Sequence, residues 1–397
     1  MKRVNPFSVI ILMALISGCG GKKQSTDDFI TVDVTKSYPK RELILQDFLD
    51  VEYILLDDTN DEFVTHGQIM SIGKEYILGR NNIGDGNMFI FDRNGKGLRI
   101  INRKGQGAEE YTGFSTNVLD EENNEIFANR TSDRKINVYY LFGNFKRSFP
   151  YGEHRFSQIC NFDRDHLIYY DNQWDLLELP GSVNWRNSFG IISKRDGSVT
   201  HAIQIPYKAK KKGVFFDGSG TVIDFGPSNQ RLIPDRNSWI LVEISADTIY
   251  RLLPDYSLVP FIVRKPSVHS MNPEVFLYPS MFTDRYLFMQ TVKLETDLSI
   301  REGPMPRRDL MYDKQETALF EYVAYNADFT VKKPVSLAFE RFNLPFISNE
   351  IAFYERYHSY ELVDAFKKGQ LRGKLKEIAA ELNAESNPVI MVAKHKK

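Results

Sequence analysis

Apolar and polar positions alternate along this chain in short runs, and turn residues divide the runs. The stretch Met88–Tyr111 shows the pattern most clearly, with apolar runs at Met88–Phe91 and Leu98–Ile101 on either side of Asn94-Gly95. An Asn-Gly pair can take the positive φ values that a two-residue hairpin turn requires. The pattern therefore predicts two antiparallel strands joined by a tight turn.

Hairpins of this kind recur along the chain. Further turns are predicted after apolar runs at Gly143-Asn144, Asp196-Gly197, Asp255-Tyr256 and Asn326-Ala327. Another strand pair precedes most of these hairpins, as Gln68–Ser71 and Tyr76–Gly79 precede the first. Four strands in a unit of about 50 residues are typical of a β-propeller blade.

Six such units can be assembled. Five lie between Gln68 and Phe339, and the sixth combines Ile30–Val34 and Val51–Leu56 with Val389–Ala393. Pairing of terminal strands closes the ring and removes free sheet edges. We therefore predict an all-β, six-bladed β-propeller over residues 30–397. The alternatives, a β-sandwich or two smaller β domains, account less well for the regular recurrence and for the lack of a Pro/Gly/Ser-rich linker.

One short helix is predicted near the end of the chain, within Leu371–Asn383. Apolar residues recur there at helical spacing, and charged residues lie mostly on the opposite face. Such an apolar stripe packs either on a partner helix or on its own domain, and we expect the second.

The first residues have the features of a bacterial export signal. Lys2 and Arg3 precede an apolar run at Phe7–Ile16, which is shorter than the roughly 20 residues of a membrane-spanning helix. The run ends in Ile16-Ser17-Gly18-Cys19, which resembles a lipobox, the motif whose cysteine is lipidated. We predict a signal peptide over residues 1–18, lipid attachment at Cys19 and a flexible tether over residues 19–29. The alternative is an ordinary signal peptide that contains a cysteine.

Composition excludes several classes of protein. The formal net charge is −1, which argues against the basic face of a nucleic-acid-binding protein. The chain has two cysteines, so a disulfide framework cannot form if Cys19 carries lipid. Cys160 lies in a strand-like stretch and is predicted to be a small buried residue rather than a nucleophile.

The first hairpin and its exit loop, FDRNGKGLRIINRKGQGAEEY, resemble the repeats of bacterial six-bladed β-propeller lipoproteins with NHL-like repeats. The lipobox, Val51–Leu56 and Asn387–Val392 fit the same family, so the resemblance covers nearly the whole mature chain. One departure is Ala108-Glu109, where the family usually has Pro-Gly. The resemblance implies a lipid-anchored envelope protein of Gram-negative bacteria, in the outer membrane, that binds something at one end of the propeller. It brings no catalytic residues with it.

The sequence has no recognisable catalytic, cofactor-binding or metal-binding motif. Gly105-Gln106-Gly107 lacks the third glycine of a dinucleotide loop, because Glu110 stands there, and is predicted to be a loop between blades. The seven histidines form no His-x-x-x-His or Glu-x-x-His pair, although a zinc site assembled from several blades stays open. We therefore expect no catalytic residues, no cofactor and no metal.

Candidate ligand-binding residues are Trp174, Trp185 and Arg186, which lie outside the predicted strands. Exposed indoles beside polar groups suit a flat ligand face such as a sugar or a peptide side chain. The alternative is that both indoles cap the core. The lysine-rich stretch Lys208–Lys212 could contact anionic lipid or glycan, or could be a solvated loop tip.

These observations predict a membrane-anchored binding module for a protein, peptide or glycan. An alternative is a hydrolase or lyase whose carboxylates and histidines converge at the mouth of the propeller channel. A third is a structural scaffold of an envelope complex, which would present a large apolar patch.

Overall fold

The computed structural model describes residues 29–57, 63–81, 84–114, 116–130, 133–171, 188–211, 214–216, 222–225, 229–295, 305–338 and 350–396. The strands are β1 (Ile30–Asp33), β2 (Lys40–Ile44), β3 (Leu49–Leu55), β4 (Gln68–Ile72), β5 (Tyr76–Arg80), β6 (Asn87–Asp92), β7 (Gly97–Asn102), β8 (Asn117–Asp120), β9 (Glu125–Arg130), β10 (Lys135–Tyr140), β11 (Phe145–Pro150), β12 (Phe156–Asn161), β13 (His166–Asp171), β14 (Phe189–Ser193), β15 (Val199–Ile203), β16 (Val214–Phe216), β17 (Val222–Phe225), β18 (Leu232–Asp235), β19 (Ser238–Leu241), β20 (Thr248–Leu252), β21 (Leu258–Lys265), β22 (Val275–Phe282), β23 (Tyr286–Lys293), β24 (Arg307–Asp313), β25 (Ala318–Tyr325), β26 (Pro334–Val335), β27 (Ile351–Tyr357) and β28 (Val389–His395). The helices are α1 (Leu45–Phe48), α2 (Ser359–Lys367) and α3 (Gly373–Glu381), with a 3-10 turn at Val268–Ser270.

These strands build the predicted six-bladed β-propeller. Blades one to five are β4–β7, β8–β11, β12–β15, β18–β21 and β22–β25, each an antiparallel sheet in sequential order. Blade six contains β27, β28 and β3 in the described part of the chain. First strands of neighbouring blades contact each other, as β4 contacts β8 and β18 contacts β22, so these strands surround the axis.

The hydrophobic core shows that the ring is closed. Among the described residues it consists of six clusters, and each is filled by two neighbouring blades. Ile54 and Ile390 of blade six pack with Ile77 and Phe91 of blade one in the cluster that joins the last blade to the first. Each blade therefore buries both faces of its sheet against its neighbours.

The terminal strands close the ring as predicted in one respect and differ in another. β28 pairs with β3 from Val389 opposite Leu55 to His395 opposite Leu49, which confirms the pairing of the two chain ends. The prediction that Ile30–Val34 joins this blade is wrong. β1 instead pairs in parallel with β21 at the outer edge of blade four, and β2 pairs in parallel with β25 of blade five. Both positions cover an outer sheet edge that would otherwise be unpaired.

Most predicted turns are confirmed. Gly95, Gly143, Gly197 and Tyr256 all have positive φ values at turns between strands. The strand pair predicted around Asn326-Ala327 is present only in part, since the two-residue strand β26 pairs antiparallel with the end of β25 after a longer loop. β25 is the fourth strand of blade five and follows β24, which the sequence analysis missed. The Asn326 side chain instead binds the N-terminal segment, where its Oδ1 accepts a hydrogen bond from Gln46 Nε2 at 2.7 Å.

The predicted C-terminal helix is confirmed as α3. Leu375 and Ala379 are buried in the core cluster that blades five and six share, so the helix packs on its own domain. Helix α2, which precedes it, was not predicted. None of the helices in the described ranges has the length and hydropathy needed to cross a bilayer.

Candidate functional site

The two ends of the propeller differ in their connections. At one end, the turn end, lie the turns that follow the first and third strands of each blade, such as Asn94-Gly95 and Asp235–Ser238. At the opposite end, the crossover end, lie longer connections, which include α2 and α3.

A cavity of about 920 Å³ opens at the turn end between blades four, five and six. Its size lies within the range of roughly 300 to 1,000 Å³ that is usual for small-molecule sites. The described residues that line it are Asp47, Phe48, Ile233, Pro234, Asp235, Arg236, Asn237, Ser238, Arg251, Leu253, Pro254, Phe261, Ser280, Met281, Phe282, Thr283, Asp284, Arg285, Tyr286, Lys314, Ala352, His395 and Lys396. They come from the segment before β3, from blades four and five, and from the strands β27 and β28 of blade six with the residue that follows.

Two β-bulges shape the cavity wall. In β22, Ser280 and Met281 lie between the pairs Pro279–Met289 and Phe282–Leu287, so two residues face one on the partner strand. In β27, Ala352 is the extra residue. A bulge bends its strand and re-aims its side chains. Ser280 is 3% exposed, and its Oγ has no hydrogen-bond partner among the described residues.

Charged side chains surround the cavity, and three arginines there are matched by carboxylates. Arg251 Nη2 lies 2.6 Å from Asp235 Oδ2, and Arg236 pairs with Asp284. Arg285 donates two hydrogen bonds to Asp313 Oδ2, at 3.0 Å from Nε and 2.7 Å from Nη2. Burial opposes ionisation of Asp313, but the bonds from Arg285 prevail and its pKa is lowered.

Two lysines have backbone partners instead. Lys314 Nζ donates to the Thr283 carbonyl at 2.6 Å, and Lys396 Nζ donates to the carbonyls of Gln46 and Asp47 at 2.7 and 3.1 Å. Neither ammonium forms an ion pair with a carboxylate in the described part of the chain. Desolvation at the cavity lowers the pKa of Lys314, although the residue as a whole is exposed.

His395 lies at the end of β28 and is half-buried in the same wall. Burial lowers the pKa of its imidazole, while Asp284 and Asp235 act in the opposite direction. The imidazole is therefore neutral at pH 7 and can donate or accept a hydrogen bond.

Aromatic rings form the apolar part of the wall. Phe48 packs edge-on against Tyr286 with ring centroids 5.5 Å apart, and Phe261 packs against Phe282 at 5.7 Å. The Arg251 guanidinium lies 4.1 Å from the centre of the Phe261 ring. The site thus combines flat apolar surfaces with charges of both signs.

The residues predicted from sequence as ligand-binding do not fall in the part of the chain that the structure describes. Trp174, Trp185 and Arg186 fall between β13 and β14, outside the described residues, and so does Cys19 near the start of the chain. The sequence analysis missed Ser280 and His395. Pro279 was a possible signal for Ser280, because proline within a strand often marks a bulge.

Other sequence candidates have structural roles. Gly107 N–H donates to the Glu110 carboxylate at 2.8 Å, in the loop between blades one and two, as predicted. Lys210 pairs with the buried Glu243 and Lys211 with Glu274, so these two lysines do not form a freely solvated tip. Cys160 packs on the core cluster of blades three and four, and burial raises the pKa of its thiol to about 12.

Comparison with known proteins identifies the family. A family model for a domain of unknown function, DUF4934, matches residues 29–394. The chain belongs to the DUF4934 family. No match is found among curated proteins.

Two solved structures share the fold of this DUF4934 protein. A Bacteroides fragilis protein named as exported has 15% identity and a TM-score of 0.62, with 93% of this chain and 100% of that chain covered. A member of the DUF4221 family from Bacteroides vulgatus has 10% identity and a TM-score of 0.50, with 87% and 96% covered. At such identities the similarity is one of fold alone.

Proposed function

We propose that this DUF4934 protein is a lipid-anchored binding module of the bacterial envelope, and that its ligand occupies the cavity at the turn end. The cavity itself carries the proposal, because three blades build it and because some of its polar groups have no side-chain partner among the residues that the structure describes. The lipobox at Ile16–Cys19, the resemblance to lipoproteins with NHL-like repeats and the exported B. fragilis neighbour support the location.

Binding in the cavity can be tested with a blocking variant. Asn237 is exposed in the first turn of blade four, so Asn237→Trp should fill the mouth of the cavity without entering the core. Arg164→Trp is the matched control, because Arg164 is 72% exposed in the first turn of blade three. In a thermal-shift screen of soluble glycans and peptides, at least one compound should raise the Tm of the wild type and the control but not of Asn237→Trp.

A stabilising compound that still acts on Asn237→Trp would contradict the cavity as the ligand site. If its effect were lost in Trp174→Ala or Trp185→Ala, the earlier sequence candidate would be the better one. Absence of any stabilising compound would contradict the binding function.

The anchor has a separate test. Cys19→Ala should move the protein from the membrane fraction to the soluble fraction of cells that express it. Continued sedimentation with membranes would contradict lipid attachment at Cys19.

An enzyme is the second candidate, since His395, Asp235, Asp284 and Ser280 line the same cavity. Such groups could supply a general base and a nucleophile to a hydrolase or lyase. Turnover of a stabilising compound, abolished in His395→Ala, would favour this candidate over the binding module. The scaffold alternative has less support, because exposed apolar side chains such as Leu98, Val199 and Val323 are spread over different blades.

A further inference from the structure

The cavity has an excess of positive charge that its own carboxylates do not match. Among the described lining residues, Asp235 and Asp284 neutralise Arg251 and Arg236, and Asp313 behind the wall neutralises Arg285. Among the described residues, Lys314 and Lys396 have carbonyl partners only, and the one further lining carboxylate, Asp47, offsets one of these two charges, so that one positive charge stays in excess. A carbonyl satisfies an ammonium donor but leaves its charge without a counter-ion, so an anion bound beside these lysines is favoured.

A second observation is independent of charge. Ser280 Oγ is buried in the wall without a partner in the described chain. An unmade hydrogen bond at a buried hydroxyl costs stability that a bound oxygen acceptor or donor can restore. The bulge in β22 directs this residue, so the unsatisfied group belongs to a shaped part of the wall.

The remaining wall fits a ring-shaped polar ligand. Phe48 and Phe261 offer apolar surfaces, while Asn237 and Asp235 offer planar polar groups at the rim. Sugar rings combine an apolar face with hydroxyl groups around the edge, and both features have counterparts here.

We propose that the ligand is an acidic saccharide whose carboxylate lies beside Lys314 and Lys396. This inference rests on the binding function proposed above and adds the class of ligand. The aromatic wall receives the sugar rings, and Ser280 binds one oxygen of the ligand.

The test uses three probes with the mature protein in isothermal titration calorimetry. Trigalacturonic acid carries rings and carboxylates, its trimethyl ester carries the same rings without charge, and triglutamate carries carboxylates without rings. The acid should bind at least about tenfold more tightly than either of the other two, and added salt should weaken it.

Variants locate the charge. Lys314→Gln and Lys396→Gln should each weaken binding of the acid by about tenfold, because each removes one charge-assisted contact. Lys74→Gln is the matched control, since Lys74 is an exposed lysine in the first turn of blade one, and it should leave binding unchanged.

The outcomes separate this inference from the proposed function. Equal binding of acid and ester would overturn the acidic class and leave the binding function intact. Binding of triglutamate as tight as that of the acid would overturn the saccharide class. No binding of trigalacturonic acid, while another compound stabilises the protein in a way that Asn237→Trp abolishes, would overturn only this inference. No response to any compound would overturn both.

Discussion

The turn end of blades two and three and that of blades four and five use similar turns but place their charges differently. Lys194 joins blades two and three: its Nζ lies 2.6 Å from Asp120 Oδ2, with the two side chains 6% and 4% exposed. Arg236 and Asp284 form the ion pair between blades four and five, and their side chains are 77% and 84% exposed. One junction is closed by buried charge, and the other leaves its charges in solvent beside a cavity.

This difference separates charges that stabilise the fold from charges that are available to a ligand. Breaking a buried ion pair leaves an uncompensated charge and costs about 3–5 kcal/mol, whereas an exposed pair contributes about 0–1 kcal/mol. Charges at the closed junction are therefore fixed by folding. The exposed pair Arg236–Asp284 beside the cavity can exchange partners at small cost, as a ligand site requires.

The largest expected effect tests the closed junction. Lys194→Met should lower the free energy of unfolding by about 3–5 kcal/mol, because Asp120 would stay buried without its ammonium partner. Urea denaturation of the purified protein measures this. Lys314→Met is the matched control at the cavity and should cost less than about 1 kcal/mol.

A double variant checks the cause. Asp120→Asn combined with Lys194→Met removes the uncompensated charge and should recover part of the loss. If Lys194→Met cost no more than Lys314→Met, the contrast between the two junctions would be wrong.

The next effect concerns the junction that closes the ring between blades one and six. Gly95 has φ +89°, and a Cβ there would lie 2.0 Å from the Leu55 carbonyl oxygen. Gly95→Ala should therefore cost at least about 2 kcal/mol, since the positive φ alone costs about 1–2 kcal/mol and the clash adds to it. Gly152 has φ +68° with nothing within 4 Å, so Gly152→Ala should show the backbone cost alone. Equal losses in thermal unfolding would mean that blades one and six do not meet closely at Gly95.

A smaller effect is expected between blades one and two. The Glu121 carboxylate accepts N–H groups of Lys74, Glu75 and Tyr76 at 2.7 to 3.0 Å. Glu121→Gln keeps one acceptor oxygen but loses the charge, so it should cost about 1–2 kcal/mol. Glu122→Gln, at the exposed neighbour, is the control and should change little. A neutral result for Glu121→Gln would show that water replaces the carboxylate without cost.

The sequence was sufficient for the fold because its signals are local and repeated. Turn residues such as Gly95, Gly143 and Gly197 follow short apolar runs, and the same unit returns in five blades. The sequence prediction assigned β1 to the wrong blade because β1 pairs in parallel with β21, which is far away in the chain. No hairpin turn in the sequence indicates such a pair.

The cavity could not be predicted in the same way. Asp47, Ser280 and His395 meet there from the start, the middle and the end of the chain, and no motif links them. What makes Ser280 and His395 functional candidates is their burial in the cavity wall and, for Ser280, a hydroxyl without a partner among the described residues, and both exist only in the folded ring. Pro279 predicts at most an irregular strand.

The smallest expected effect is the pH dependence of folding stability that His395 contributes at the cavity. Burial holds the pKa of its imidazole below 6.5 in the folded protein, so the unfolded chain binds more protons just below that pH. Stability should therefore fall as pH drops through about 6.5, and His395→Gln should flatten the decline by less than about 1 kcal/mol. Burial also lowers the pKa of His358, at the start of α2 on the crossover end, so His358→Gln should flatten the decline similarly.

A bound anion distinguishes the two histidines. Trigalacturonic acid should stabilise protonated His395 and so abolish the part of the pH dependence that His395 causes, while the part that His358 causes persists. The measurement is thermal unfolding between pH 5 and 8. If the ligand changed neither histidine's contribution to the pH dependence, or changed both equally, His395 would not face the ligand.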